Sequence, residues 1–231
     1  MSLTACYQKL SPWLYSPLDR QGRAYLESHL ELLDDESDEF LECFIAQYRE
    51  RPEEQGRLRL ARQIVRNAIA LGRTAEAVRD SYVDVFGGLI LDLPLWLREV
   101  ERQWMPLLSE PWTDRRATVG KLQLRAAIEQ TWRDPAVAPT TRAELQFLLG
   151  NLFASDLLTR PMGAFETMVN CYTEALQVYT AGQYPLRRAK ILLTLGDVYR
   201  RQAADQRADL LMQAAHYYGQ ALGIYNTREP V

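Results

Sequence analysis

The sequence predicts an all-α protein built from antiparallel helical hairpins, and three observations indicate this fold class. Apolar residues recur at helical spacing, about every 3.6 residues, along most of the 231-residue chain. Runs that alternate between apolar and polar residues, which are typical of strands, are rare. The C-terminal part of the chain also repeats a set of residues after 46 positions, and an internal repeat of this kind indicates helical units that stack and share one core.

The first half of the chain contains four helix-like segments. The segment 37–50 carries an apolar face at helical spacing, formed by Phe40, Phe44, Ile45 and Tyr48. The segments 56–72 and 74–86 have the same pattern and end at glycines, a common signal for the end of a helix. A fourth segment, 93–108, has a proline near each end. We expect residues 1–115 to form an N-terminal helical region, made either of degenerate repeats or of a helical cap.

The clearest loop of the sequence precedes residue 141. The stretch WRDPAVAPT, residues 132–140, contains two prolines, which favour extended or turn conformations. The next four residues, TRAE from Thr141 to Glu144, have the spacing of a capping box, so we expect a helix to begin there. Residues 116–231 are predicted to form the repeat region, with clear units at about 139–184 and 185–231.

Matched residues define the repeat shift of 46 positions. The matched pairs are Pro139 and Pro185, Ala143 and Ala189, Leu149 and Leu195, Gly150 and Gly196, Phe153 and Tyr199, Ala175 and Ala221, Leu176 and Leu222, and Tyr179 and Tyr225. A small glycine lets the second helix of a hairpin approach the first helix. A small alanine lets that second helix lie against the next hairpin. Such units cannot bury their apolar faces alone, and they stack to form a common core.

These residues resemble tetratricopeptide repeats, whose first helix carries Leu-Gly and an aromatic residue, and whose second helix carries Ala, an aromatic residue and Ala. The last repeat matches at Leu195, Gly196, Tyr199, Ala214, Tyr218 and Ala221. The earlier copy matches at Leu149, Gly150, Phe153, Tyr172 and Ala175, with Met168 at its first Ala position. The usual period is about 34 residues, and the longer period here is similar to that of large bacterial multirepeat proteins. The stretches YPLRRAKILLTLGDVY and RADLLMQAAHYYGQALGIY carry that likeness.

The resemblance implies a right-handed superhelix, or α-solenoid, whose concave groove binds a partner protein or peptide. By register, the groove positions are Glu144, Phe147, Asn151, Lys190, Leu193, Asp197 and Arg200. Lys190 and Asn151 match residue types that some family members use to hold a terminal carboxylate. Asp197 and Glu144 stand where such a site has Asn and Lys, so we expect a ligand of mixed charge. A HEAT or armadillo array, with a period of about 40–47 residues, is the alternative architecture.

Charge is distributed unevenly along the N-terminal half, although the net charge is only −3. Segment 27–54 holds eleven acidic residues and two arginines, whereas segment 57–79 holds six arginines and one glutamate. We expect these segments to pair as adjacent helices. The alternative is a docking face, and the basic stripe of Arg57, Arg59, Arg62 and Arg66 keeps nucleic acid as a less favoured partner. Five tryptophans, three of them between Trp96 and Trp112, are expected to fill helix junctions or to form an interaction surface.

Few residues of this sequence suggest catalysis or metal binding. The two histidines, His29 and His216, and the three cysteines are scattered, and no nucleophile loop accompanies them. The acidic run 30–42 lacks the glycine and the ligand spacing of a calcium loop. A phosphate-binding glycine loop is also missing from the sequence. We expect no enzymatic activity, no cofactor and no metal ion.

The predicted function is that of a non-catalytic protein–protein interaction module or adaptor. The alternative is a sensor or regulatory segment of a larger bacterial effector, because similar long repeats are often joined to protease-like or nucleotide-hydrolysing domains. The sequence ends where a further connection would begin, so we expect a longer array or an exposed last helix. An exposed last helix would let two copies associate through Tyr217, Tyr218 and Tyr225. The odd number of cysteines and the lack of an export signal or a long apolar run favour a cytoplasmic protein without membrane contact.

Overall fold

The computed structural model describes residues 3–16, 18–91, 115–156, 161–203 and 207–227. These residues form ten α-helices and two short 3-10 turns, and they contain no strand. The predicted all-α class is confirmed. The chain divides into two compact units, Met1–Phe86 and Gly87–Val231, and each is described by itself.

The first unit contains five helices. They are α1 (Leu3–Tyr15), α2 (Arg20–Ser28), α3 (Asp35–Gln47), α4 (Pro52–Ala70) and α5 (Ala75–Phe86), with a 3-10 turn at Leu30–Leu32. Helix α3 packs against α1 and α4, and α5 packs against α2 and α4. The side chain of Asp34 caps α3 by accepting a hydrogen bond from the Ser37 backbone N–H at 2.7 Å. The three predicted helices within residues 37–86 are therefore confirmed, and their starts differ by a few residues.

The acidic and basic segments of this unit pair with each other, as predicted. Arg62 on α4 donates to Asp38 Oδ1 on α3 at 2.7 Å and to Glu42 Oε2 at 2.9 Å. Arg66 Nε lies 3.9 Å from Asp38 Oδ2. Arg57 donates instead to the backbone carbonyls of Leu14 and Ser16. Three of the four arginines of the basic stripe thus contact groups within the unit.

The second unit contains the other five helices. They are α6 (Arg115–Trp132), α7 (Pro139–Asp156), α8 (Pro161–Val178), α9 (Pro185–Gln202) and α10 (Ala208–Asn226), preceded by a 3-10 turn at Gly88–Ile90. Each helix from α6 to α9 packs against the next one, and the 3-10 turn packs against α7. The predicted helix at 93–108, Trp96, Trp104 and Trp112 lie outside the described residues. The predicted boundary at residue 115 stays a prediction.

The two hairpins α7–α8 and α9–α10 share one packing geometry. Helices α7 and α9 begin at prolines that are one repeat shift apart. A Cβ added at Gly150 would lie 2.5 Å from Tyr172 Cε1, and one at Gly196 would lie 2.5 Å from Tyr218 Cε1. Only glycine permits this approach of the tyrosine ring to the first helix. The predicted role of the glycines is confirmed.

The hydroxyl groups of the same tyrosines repeat as well. Tyr172 donates to Asn151 Oδ1 at 2.8 Å, and Tyr218 donates to Asp197 Oδ1 at 2.7 Å. Asn151 and Asp197 occupy equivalent positions, each directly after the glycine. Each of these two groove candidates therefore accepts a hydrogen bond from the equivalent tyrosine of its own hairpin.

The predicted capping box at Thr141 is wrong. Helix α7 begins earlier, at Pro139, because proline fits the first turn of a helix, where no N–H donor is needed. Within the described residues the Thr141 hydroxyl is buried without a hydrogen-bond partner. The Glu144 carboxylate, which a capping box would direct back to the helix start, instead accepts hydrogen bonds from Arg187 and Tyr179.

The glycine contact gives a first testable prediction. Gly196→Ala would force the Tyr218 ring away from α9, and we expect it to lower the free energy of unfolding by about 1–3 kcal/mol. Gly223→Ala on α10 is the matched control, because a Cβ there meets nothing within 4 Å. Alanine in that helix is expected to stabilise the protein by about 0.5–1 kcal/mol. Urea unfolding of both variants tests the contact, and equal effects would contradict it.

Candidate partner-binding surface

The predicted groove residue Glu144 lies in a buried network that joins α7, α8 and α9. Arg187 Nε donates to Glu144 Oε2 at 3.0 Å, and a second guanidinium nitrogen contacts Oε1. The Tyr179 hydroxyl lies 2.9 Å from Glu144 Oε2 and 3.0 Å from the Thr140 carbonyl oxygen. Glu144 and Arg187 are each only 4% exposed. The charges of this pair are therefore shielded from solvent and compensate each other.

Two glycines complete this network from outside the hairpins. The Gly88 backbone N–H donates to the Tyr179 hydroxyl at 3.0 Å. A Cβ at Gly88 would lie 2.1 Å from the Thr140 carbonyl oxygen, and one at Gly87 would lie 2.3 Å from Glu144 Oε2. Gly87 also has a φ of +92°, which favours glycine. In the sequence this pair indicates only a helix end, and the adjacency of two glycines is the one signal there of a close backbone contact.

The other groove candidates of the first hairpin also have partners within the chain. Phe147 is 4% exposed, and the Arg187 guanidinium lies 4.8 Å from the centre of its ring. Asn151 is partly buried and accepts the hydrogen bond from Tyr172. Glu144 and Phe147 thus differ from the expected open groove, because Arg187 of α9 covers both side chains.

The groove candidates of the second hairpin form an exposed face of α9. Lys190, Leu193 and Arg200 are exposed, and Asp197 is partly buried. Their spacing of three, four and three residues places them along one side of the helix. Arg200 Nε lies 3.3 Å from the Tyr218 hydroxyl, and its Nη2 lies 3.5 Å from Asp197 Oδ1. The face therefore presents an apolar side chain between groups of both charges.

Lys190 is the cation of this face for which the described residues provide no ion-pair partner. Its ammonium forms no ion pair with any described residue. Partial desolvation by the surrounding protein lowers the pKa of Lys190, and the positive charge of Arg187 lowers it further. An anionic group placed beside Lys190 would favour the charged ammonium and raise its pKa, against both of these influences.

Helix α10 also carries exposed apolar residues. The exposed fraction is 44% for Leu211, 67% for Met212, 58% for Leu222 and 37% for Tyr225. Tyr217 and Tyr218 on the same helix are partly buried. Tyr199 of α9 contacts Tyr217 with a ring-centre distance of 5.4 Å. The last helix thus combines an inner aromatic contact with an outer apolar face.

His29, His216 and Cys171 have side chains of the types that can take part in catalysis. His29 stacks on Tyr25 at 4.0 Å, and His216 lies 2.7 Å from the Gln220 side-chain amide. Burial raises the pKa of Cys171 to about 12, which keeps its thiol protonated at neutral pH. Across the described ranges, no three histidine, cysteine, aspartate or glutamate side chains are grouped so that they could hold a metal ion.

The remaining comparisons concern membranes and known proteins. Within the part of the chain that the structure describes, no helix combines the length and apolar character needed to cross a membrane. Comparisons of the chain with family models, curated proteins and solved structures found no match.

Proposed function

We propose that this chain is a non-catalytic binding module of tetratricopeptide-like repeats, which recognises a partner protein through α9 and α10. The observation that carries this proposal is the exposed face of α9, where Lys190, Leu193 and Arg200 remain open to solvent. The proposed module stacks its hairpins in the manner of an α-solenoid, and the packing of α9 on α8, with the contact of Arg187 to Glu144, supports this arrangement.

A protein partner fits this face better than a nucleic acid does. The face alternates positive, apolar and negative side chains, whereas nucleic-acid binding requires clustered cations facing a phosphate backbone. In the basic stripe of the first unit, Arg62 is neutralised by Asp38 and Glu42. Arginine and exposed apolar residues of α9 and α10 are the residue types that protein interfaces use as anchors.

Affinity capture tests the proposal directly. The bait is the full chain, incubated with a lysate of the organism that carries the gene, and it is compared with a Lys190→Glu/Arg200→Glu variant. We expect the wild-type chain to retain a partner protein that the variant loses, because charge reversal opposes the contacts along α9. Circular dichroism establishes that both baits have equal helicity.

A matched control distinguishes an effect of the substitutions on α9 from an effect of the changed net charge. Arg49→Glu/Arg59→Glu makes the same change in charge at two exposed arginines of the first unit, for which the described residues contain no ion pair. The control is expected to retain the partner. Equal capture by wild type and the α9 variant would overturn the proposal, and loss of capture by both variants would show a non-specific charge effect.

A further inference from the structure

Helix α9 and the residue before it cover one face of the first hairpin, α7–α8, at five positions of that hairpin. The covered residues are Glu144, Phe147, Phe165, Leu176 and Tyr179. Arg187 contacts both Glu144 and Phe147. Tyr199 meets the ring of Phe165 edge-on at 5.3 Å, and Leu176 packs against the cluster of Ala189, Leu192 and Ala221. Tyr184, directly before α9, meets the Tyr179 ring at 5.6 Å.

The equivalent residues of the second hairpin are all exposed. One repeat shift places these positions at Lys190, Leu193, Leu211, Leu222 and Tyr225, which we call the α9–α10 patch. The tyrosines show the contrast, since Tyr179 is fully buried and Tyr225 is 37% exposed. Because the two hairpins pack internally in the same way, the patch has the layout of a face that α9 already covers once.

The patch differs from the covered face in one charge. Glu144 is an anion that pairs with Arg187 of the covering helix, whereas its equivalent, Lys190, is a cation. A helix that covers the patch in the same register would bring its own residue at the Arg187 position next to Lys190. A basic residue there would repel Lys190, and a carboxylate would pair with it. The charge of the patch therefore selects an acidic residue at that position.

We infer that the α9–α10 patch binds an amphipathic helix of a partner protein, which packs as α9 packs on the first hairpin and presents a carboxylate to Lys190. The helix carries an aromatic residue three positions before the carboxylate and a small residue two positions after it, as Tyr184 and Ala189 stand around Arg187. Its apolar side chains cover Leu211, Leu222 and Tyr225. This inference depends on the proposed function, since it specifies the partner chemistry at the same surface.

Two synthetic peptides serve as probes for the full chain. Both have the sequence of residues 182–203, which includes α9, and one of them carries Arg187→Glu. Fluorescence anisotropy measures the binding of each labelled peptide, and circular dichroism checks that their helicity is equal. We expect the acidic peptide to bind the wild-type chain about tenfold more tightly than the basic peptide, or more. Lys190→Glu on the chain is expected to invert this preference.

A second variant tests the apolar contacts of the patch without changing its charge. Leu222→Ser alters an exposed side chain, so the fold should persist, and we expect it to weaken binding of both peptides about tenfold or more. The inference is overturned by equal binding of the two peptides, by a preference that Lys190→Glu leaves unchanged, or by binding of neither peptide at about 1 mM. Sedimentation that shows a dimer of the chain alone, abolished by Tyr225→Glu, would assign the patch to a second copy and also overturn it.

The two proposals fail in different ways. If the peptide preference inverts with Lys190→Glu but lysate capture does not depend on α9, the patch chemistry holds and the proposed function fails. If capture depends on α9 but the peptides show no charge preference, the proposed function holds and the inferred helix register fails.

Discussion

Arg187→Ala is expected to lower the free energy of unfolding of the second unit by about 3–5 kcal/mol. The substitution leaves the Glu144 carboxylate buried without its cation, and Tyr179 is then the only side-chain donor described for it. It also removes the guanidinium from the ring of Phe147. Urea unfolding, followed by circular dichroism, measures the loss.

Two further variants identify the cause of that loss. Arg200→Ala breaks an exposed ion pair with Asp197 and should cost no more than about 1 kcal/mol. Glu144→Leu/Arg187→Leu removes both buried charges and should recover much of the stability that Arg187→Ala loses, because apolar residues can replace a buried pair at little cost. A double variant that is as unstable as Arg187→Ala, or less stable, would contradict a charge-compensation role.

Tyr179→Ala and Tyr225→Ala are expected to differ strongly although the two residues are equivalent in the repeat. Tyr179 is fully buried and contacts Tyr184, Glu144 and Gly88. Removing it should cost about 3–5 kcal/mol. Tyr225 is 37% exposed on α10, and its removal should cost clearly less than the removal of Tyr179. Thermal or urea unfolding of the two variants gives the comparison.

The same two substitutions test whether a bound partner covers the exposed face of the second hairpin. A captured partner that covers the α9–α10 patch should stabilise the wild-type chain more than it stabilises Tyr225→Ala, because the ring would then be part of the interface. Equal stability losses for the two substitutions in the free chain would contradict the different burial of the two tyrosines.

Local signals in the sequence predicted several of the helices and the glycine contacts. They missed α1 and α2, and they placed the start of α7 at Thr141 although Pro139, which suits a first turn, begins it. Gly150 and Gly196 admit a tyrosine ring from the next helix, as predicted. The paired acidic and basic helices were also predictable, since the two segments follow each other closely and have opposite charge. Each of these features depends on residues that are near in sequence or related by one repeat shift.

Which positions of the candidate surface are buried and which are exposed could not be predicted from local signals. Glu144 and Lys190 occupy equivalent positions in the repeat, but only Glu144 contacts the guanidinium of Arg187. The contact of Gly88 with Tyr179 joins residues that are far apart in sequence, and no periodic pattern indicates it. Burial of one groove position and exposure of its equivalent depend on which segment packs on each hairpin, and this is a property of tertiary structure.

Hydrogen–deuterium exchange of the full chain, with and without the captured partner, tests the central claim that the partner binds α9 and α10. The claim predicts that backbone amides slow their exchange within residues 190–200 and 208–226, where the exposed faces of the two helices lie. It also predicts little change within residues 35–70, which form α3 and α4. Slower exchange confined to α3 and α4, with none in α9 and α10, would contradict it.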